Sequence, residues 1–129
     1  MDTSQIPVKS PANQITVRMS IREITRRLVA ALGGTLVSAL AGSRDVYAAH
    51  GWAKDTGPRP SAEETKKLAF AYEQWQKVLT ADGERVARAW FVGANPWLDG
   101  DTPISAIRED RLEEFSAAAQ SLIDDSFTG

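Results

Sequence analysis

Histidine occurs once in this chain, at His50, and cysteine does not occur. A catalytic triad needs an imidazole set between a carboxylate and a nucleophile, and a zinc site needs several imidazole or thiolate ligands. A lone histidine with no nearby partner suggests neither. The carboxylates come as neighbours, Glu63-Glu64, Glu113-Glu114 and Asp124-Asp125. Adjacent helical positions point apart instead of converging on a substrate. Gly33-Gly34 lacks the lysine and spacing of a phosphate-binding loop and reads as a helix-ending turn. The expectation is a protein that is not an enzyme and uses no cofactor or metal.

Binding chemistry is better represented. Residues 1–60 carry eight Lys/Arg against four acids, whereas the remainder carries seven against thirteen. One half suits a polyanion and the other a basic surface, because opposite fields steer encounter. Solvated helix faces would give the same segregation by accident. In the basic half, Arg44, Tyr47, His50 and Lys54 fall on one side of an expected helix whose other side is Val46, Ala49, Trp52 and Ala53. The outward set can bond phosphates and base edges, making it the candidate DNA-binding set. Asp45 opposes this use, and Gly51 weakens the helix. Arg18, Arg22 and Arg26 recur every fourth residue and, with Arg27, can add backbone contacts or form a solvated face.

The elements that position these residues are helical by their punctuation. Residues 1–13, with Pro7 and Pro11 and few apolar anchors, read as a flexible arm. Ser20 with Glu23 makes a capping box for a helix that stops at Gly33-Gly34. Thr35 can cap a short second helix ended at Gly42, and Ser43 a third over Arg44 to about Lys54. Ser61 with Glu64 opens the longest helix, to about Thr80, on which Leu68, Tyr72, Trp75 and Leu79 form one stripe. Asp82-Gly83 interrupts the chain before a further helix through Val86 and Trp90 to Gly93. A turn-rich loop, Asn95 to Asp101, follows. Thr102-Pro103 starts another helix, and Asp110 with Glu113 caps the last one, leaving a free tail beyond Asp124. The longest uncharged run, between Arg27 and Arg44, is too short to cross a bilayer. With no secretory signal at the N-terminus and no cysteine, a cytoplasmic location is expected.

Helix, short turn, helix over Thr35 to Lys54 is the layout of a helix-turn-helix, which an ordinary helical corner shares. The stretch Leu28 to Tyr72, above all Ala41-Gly42-Ser43-Arg44 through Trp52-Ala53-Lys54 and then Arg59-Pro60-Ser61, resembles the degenerate helix-turn-helix of antitoxins in the Xre/MbcA/ParS group. The run Ala89-Trp90-Phe91-Val92-Gly93-Ala94-Asn95-Pro96-Trp97-Leu98-Asp99-Gly100-Asp101-Thr102-Pro103 resembles that group's toxin-binding domain, where tryptophan, Asn-Pro, Leu-x-Gly and Thr-Pro recur in this order. Phe91 replaces the usual leucine. The two similarities span roughly residues 20–125, and the second is the more specific.

The resemblance implies a type II antitoxin whose partner is a RES-domain toxin that destroys NAD, whose C-terminal region covers the toxin's active-site entrance, and whose complex represses its own operon. In that frame Asp124, Asp125 and Phe127 are the candidate toxin-binding residues, two charges and an aromatic anchor; a frayed terminus without a role has the same composition. Trp90, Trp97, Asn95, Pro96 and Pro103 are expected to be architectural, the tryptophans supplying burial. The whole reading is an all-α chain: a flexible arm (1–13), a helix-turn-helix part with connecting helix (14–80) and a helical toxin-binding part (81–129), dimeric through apolar helix faces. Its rivals are a stand-alone helix-turn-helix regulator without a toxin partner and a structural adaptor that binds neither DNA nor toxin.

Overall fold

The computed structural model describes residues 5–9 and 16–128. Among these the chain is predominantly helical, with one hairpin at the start. Gln5–Lys9 (β1) pairs antiparallel with Thr16–Ser20 (β2), Ile6 opposite Met19 and Val8 opposite Val17. The flexible arm expected over 1–13 therefore gives way to a strand at Gln5–Lys9, and the rest of that arm lies outside the described residues. Short strands broken by proline carry little alternation for a sequence reading to detect. Met19 packs against the core, which gives the hairpin its anchor.

Ser20 ends β2 and caps α1 (Ile21–Leu32), its hydroxyl accepting the Glu23 amide at 3.1 Å. Only half of the expected box forms, since the Glu23 carboxylate turns to Arg26 and Arg27. Ile21, Ile24, Thr25, Leu28 and Leu32 make the buried stripe of α1. Gly33 alone separates α1 from α2 (Gly34–Leu40), so Thr35 lies inside the first turn of α2 and is not its cap. A side chain at Gly34 would collide with the His50 ring, whose Nε2 stands 2.3 Å from where a Cβ would be. Glycine at this position leaves room for the imidazole where it now lies.

The third helix, α3, is Ala48–Ala53, far shorter than the expected Arg44 to Lys54. Ser43 and Asp45 account for the difference. The Ser43 hydroxyl accepts the Asp45 amide at 3.0 Å, and an Asp45 carboxylate oxygen accepts the Tyr47 amide at 2.9 Å. Both side chains offer the backbone turns in place of a helical turn.

A complete capping box at Ser61 and Glu64 opens α4, Ala62–Val92. The expected interruption is present: α4 is two helices meeting at a kink, where Gly83 leaves helical geometry with φ 84° and ψ 168°, a conformation that side-chain-bearing residues rarely adopt. Before the kink Leu68, Ala71, Tyr72, Trp75 and Val78 are buried, and after it Ala87 and Phe91. A short 3-10 turn, Pro96–Leu98, leads to α5 (Pro103–Arg108), capped by Thr102 with proline at its first position. The last helix, α6, is Leu112–Thr128. Arg111 holds the position before it, while Asp110 takes a left-handed backbone (φ 61°) and faces Lys66 at 3.4 Å. The expected free tail beyond Asp124 is the final turn of α6, because glycine and proline are absent until Gly129.

One continuous core joins both halves, from Ile21 through Trp52 and Trp75 to Phe115 and Ala119. At its centre Phe115 meets Phe70, Trp90 and Phe91 edge-to-face at centroid distances of 5.3, 5.3 and 5.5 Å. Among the described residues no helix is long and apolar enough to cross a membrane.

Candidate partner-binding surfaces

The corner from Ala41 to Lys54 is built on one buried hydroxyl. Ser38 of α2 donates to the Gly34 carbonyl at 2.7 Å and accepts the Ala49 amide at 2.9 Å, which ties the start of α3 to α2. The C-terminal end of α3 is held by arginines from α1. Arg22 donates to the carbonyls of Trp52, Lys54 and Gly57, the last at 2.7 Å. Arg26 reaches the Ala53 carbonyl at 3.0 Å and the Asp55 carboxylate at 3.1 Å. Cations there satisfy orphan carbonyls and complement the negative end of the helix dipole.

The same device recurs elsewhere. Arg108 donates to Ala39 and Ser43 carbonyls at 2.7 and 3.1 Å at the end of α2, and Arg88 to Ala31 at 2.9 Å at the end of α1. Arg22 and Arg26, read from sequence as part of a phosphate-binding or solvated stripe, are thus committed to the fold's own carbonyls. Arg27 pairs with the Tyr72 hydroxyl at 3.1 Å, which raises its pKa with help from Glu23. Glu23 is held below the usual carboxylate range by its bonds to Arg27 and Arg26.

Arg44, Tyr47, His50 and Lys54 are all exposed. Only His50 belongs to α3 itself; Arg44 and Tyr47 sit in the preceding turn and Lys54 just past the end. Ala49 and Trp52 are buried as expected, whereas Val46, assigned inward from sequence, is 48% exposed because the helix begins after it.

The loop after α4 is hydrogen-bonded throughout. The Asn95 side chain accepts the Trp97 amide at 2.9 Å, its carbonyl accepts the Leu98 and Gly100 amides, and its own amide donates to Asp101. Leu98 is fully buried beneath it. From the start of α6, Arg111 grips the loop, donating to Asp101 at 3.1 Å and to the Leu98 carbonyl at 3.5 Å, while pairing with Glu114 at 2.6 Å and Glu109 at 3.4 Å. Asp101 is held low chiefly by the Thr102 amide, and Glu114 by Arg111.

Burial was the role expected of all the loop's tryptophans, and it holds for Trp90, half-buried in the aromatic cluster. It fails for Trp97, which is 61% exposed: its amide caps the turn, and Leu98, not the indole, fills the core.

Of the residues assigned to toxin binding, Asp124 and Asp125 are exposed on the last turn of α6. Asp124 accepts from Gln120 at 2.8 Å, and the Ser126 hydroxyl bonds Asp82 beside the kink in α4. Phe127 belongs to the same turn, but its side chain lies outside the described residues. Among the described residues no group of three or more His, Asp or Glu is placed to hold a metal ion.

Ser38, Arg108, Arg111 and the exposure of Trp97 were not singled out from sequence. The available signals were a serine interrupting an apolar helix and arginines flanking short helices. Comparison with family models, curated proteins and solved structures finds no match.

Proposed function

We propose that this chain is the antitoxin of a type II toxin-antitoxin pair: a non-catalytic cytoplasmic protein that binds a RES-domain, NAD-degrading toxin with its C-terminal half and blocks the active-site entrance. In the same proposal the corner at Arg44, Tyr47, His50 and Lys54 contacts operator DNA, and a dimer of the chain autorepresses the operon.

What carries the reading is the run from Ala89 to Pro103. Several residues on which the resemblance rests have their own structural task there: Trp90 meets Phe115 edge-to-face, Asn95 caps the turn, Leu98 fills the core, and Thr102 with Pro103 starts α5. The acidic balance of the second half adds support, because a pocket that receives an anionic dinucleotide is complementary to carboxylates. For the DNA contact, four exposed side chains of suitable type are gathered around one short helix.

Co-expression with a RES-domain gene of the same operon tests the proposal. A stable complex and restored growth are expected; continued arrest with no complex refutes it. Removing residues 124–129 is expected to weaken neutralisation while leaving the melting temperature near that of the full chain. Undiminished inhibition would remove Asp124, Asp125 and Phe127 from the interface. Gel shifts with the gene's upstream DNA are expected to be salt-sensitive and weakened by Arg44→Ala and Lys54→Ala. A shift that both variants leave intact places DNA elsewhere.

A further inference from the structure

Three tryptophans are used by the fold: Trp52 and Trp75 are buried, and Trp90 is half-buried against Phe91 and Phe115. Trp97 has no such use. The turn needs only its amide, which any residue except proline supplies, yet the position carries the largest apolar side chain and leaves it 61% exposed. The backbone beneath it is fixed by the Asn95 cap, the buried Leu98 and the Arg111 grip. The indole is therefore presented on a rigid platform, so immobilising it in a complex costs little entropy. Its chain neighbours Ala94 and Pro96 are exposed as well.

The charge around this platform is one-sided. Arg111 gathers Asp101, Glu109 and Glu114 at the base of the loop, and Asp99 is exposed next to Leu98, giving four carboxylates to one guanidinium. Such a surround repels phosphates, which disfavours nucleic acid and anionic membrane. It also repels a second copy of itself, and it is complementary to a cationic rim.

We propose that Trp97 is the anchor by which this chain docks onto a protein partner, its indole entering an apolar pocket whose rim is basic. The inference rests on the antitoxin reading, which makes the toxin that partner and gives its rim a reason to be basic, since its substrate is anionic. It places a contact away from the α6 tail.

Affinity of the purified full-length chain for the RES-domain protein encoded beside it, measured for wild type, Trp97→Ala and Asp99→Asn, tests this. Trp97→Ala is expected to melt with the wild type, because an exposed side chain is removed, and to bind about thirtyfold more weakly, as for an interface hot spot. Asp99→Asn keeps a residue that tolerates the left-handed backbone (φ 57°). It is expected to slow association at low salt and to match wild type at high salt. Equal affinity of Trp97→Ala and wild type overturns the docking proposal alone. So does sedimentation showing that Trp97→Ala dissociates a dimer of the free chain, which would make the indole a self-contact. A wild-type chain that binds no toxin removes the antitoxin reading, and the docking proposal with it.

Discussion

Two connections in this molecule solve the same problem differently. The turn from Ala41 to Tyr47, between α2 and α3, is stabilised by its own short polar side chains, Ser43 and Asp45, and α3 is held from outside by Arg22 and Arg26. The loop from Asn95 to Asp101 is sealed onto the core by Leu98 and locked by Arg111, in the half of the chain that holds an edge-to-face cluster of five aromatic rings. The first arrangement leans on polar clamps around a six-residue helix that has only Ala49 and Trp52 as buried apolar anchors. The second depends on buried area. Polar clamps position groups at low net stability, whereas apolar burial adds rigidity, so the corner is the part expected to open locally and the loop the part expected to stay shut.

The largest expected effect strikes the rigid side. Phe115 is fully buried, and Phe115→Ala removes its contacts to three rings, with an expected loss of about 3–5 kcal/mol in urea unfolding. A loss near that of a surface substitution would mean that the aromatic cluster does not organise the second half.

Arg22→Ala sharpens the contrast from the other side. Removing the charge that bonds three carbonyls is expected to cost about 2 kcal/mol. Hydrogen exchange should quicken at Ala48–Ala53 while protection in α5 and α6 stays put. Equal loosening in both regions would erase the distinction between them. Ser38→Ala leaves the Ala49 amide without its partner and is expected to cost about 1–2 kcal/mol, again with faster exchange confined to α3.

Acid gives the smallest effect and reaches both regions. Glu23 at the corner and Glu114 at the loop have pKa values below the ordinary 4.5, lowered by Arg27 with Arg26 and by Arg111 respectively. A depressed carboxylate contributes stability that is complete above its unfolded value and fades as pH falls through its folded one. Melting temperature should therefore decline below about pH 4.5. The decline should be shallower in Arg111→Ala, which abolishes the share of Glu114 while the Thr102 amide still holds Asp101 low, and an unchanged slope would show that Arg111 exerts no such pull.

Much of the helical framework was legible from single residues. Ser20, Ser61 with Glu64, and Thr102 with Pro103 start helices where their side chains satisfy free amides, and Leu68, Tyr72 and Trp75 form the expected stripe. Such signals are local. What was hidden is long-range: Arg108 serves a carbonyl 69 residues away and Arg22 one 35 residues away, and nothing in the spacing of either announces it. Asp45 competes with the helix for an amide, which its charge does not announce, so α3 is shorter than its residue types imply. Hydrophobicity does not say which of two adjacent apolar residues, Trp97 or Leu98, turns inward. The geometry of the 3-10 turn decides that.

Titrating this chain into the partner we propose for it, a purified RES-domain enzyme encoded beside it, while following NAD consumption, tests the central claim most directly. Hydrolysis should fall to background as the chain approaches a fixed stoichiometric ratio. An enzyme that consumes NAD at its full rate in the presence of excess chain would contradict the account.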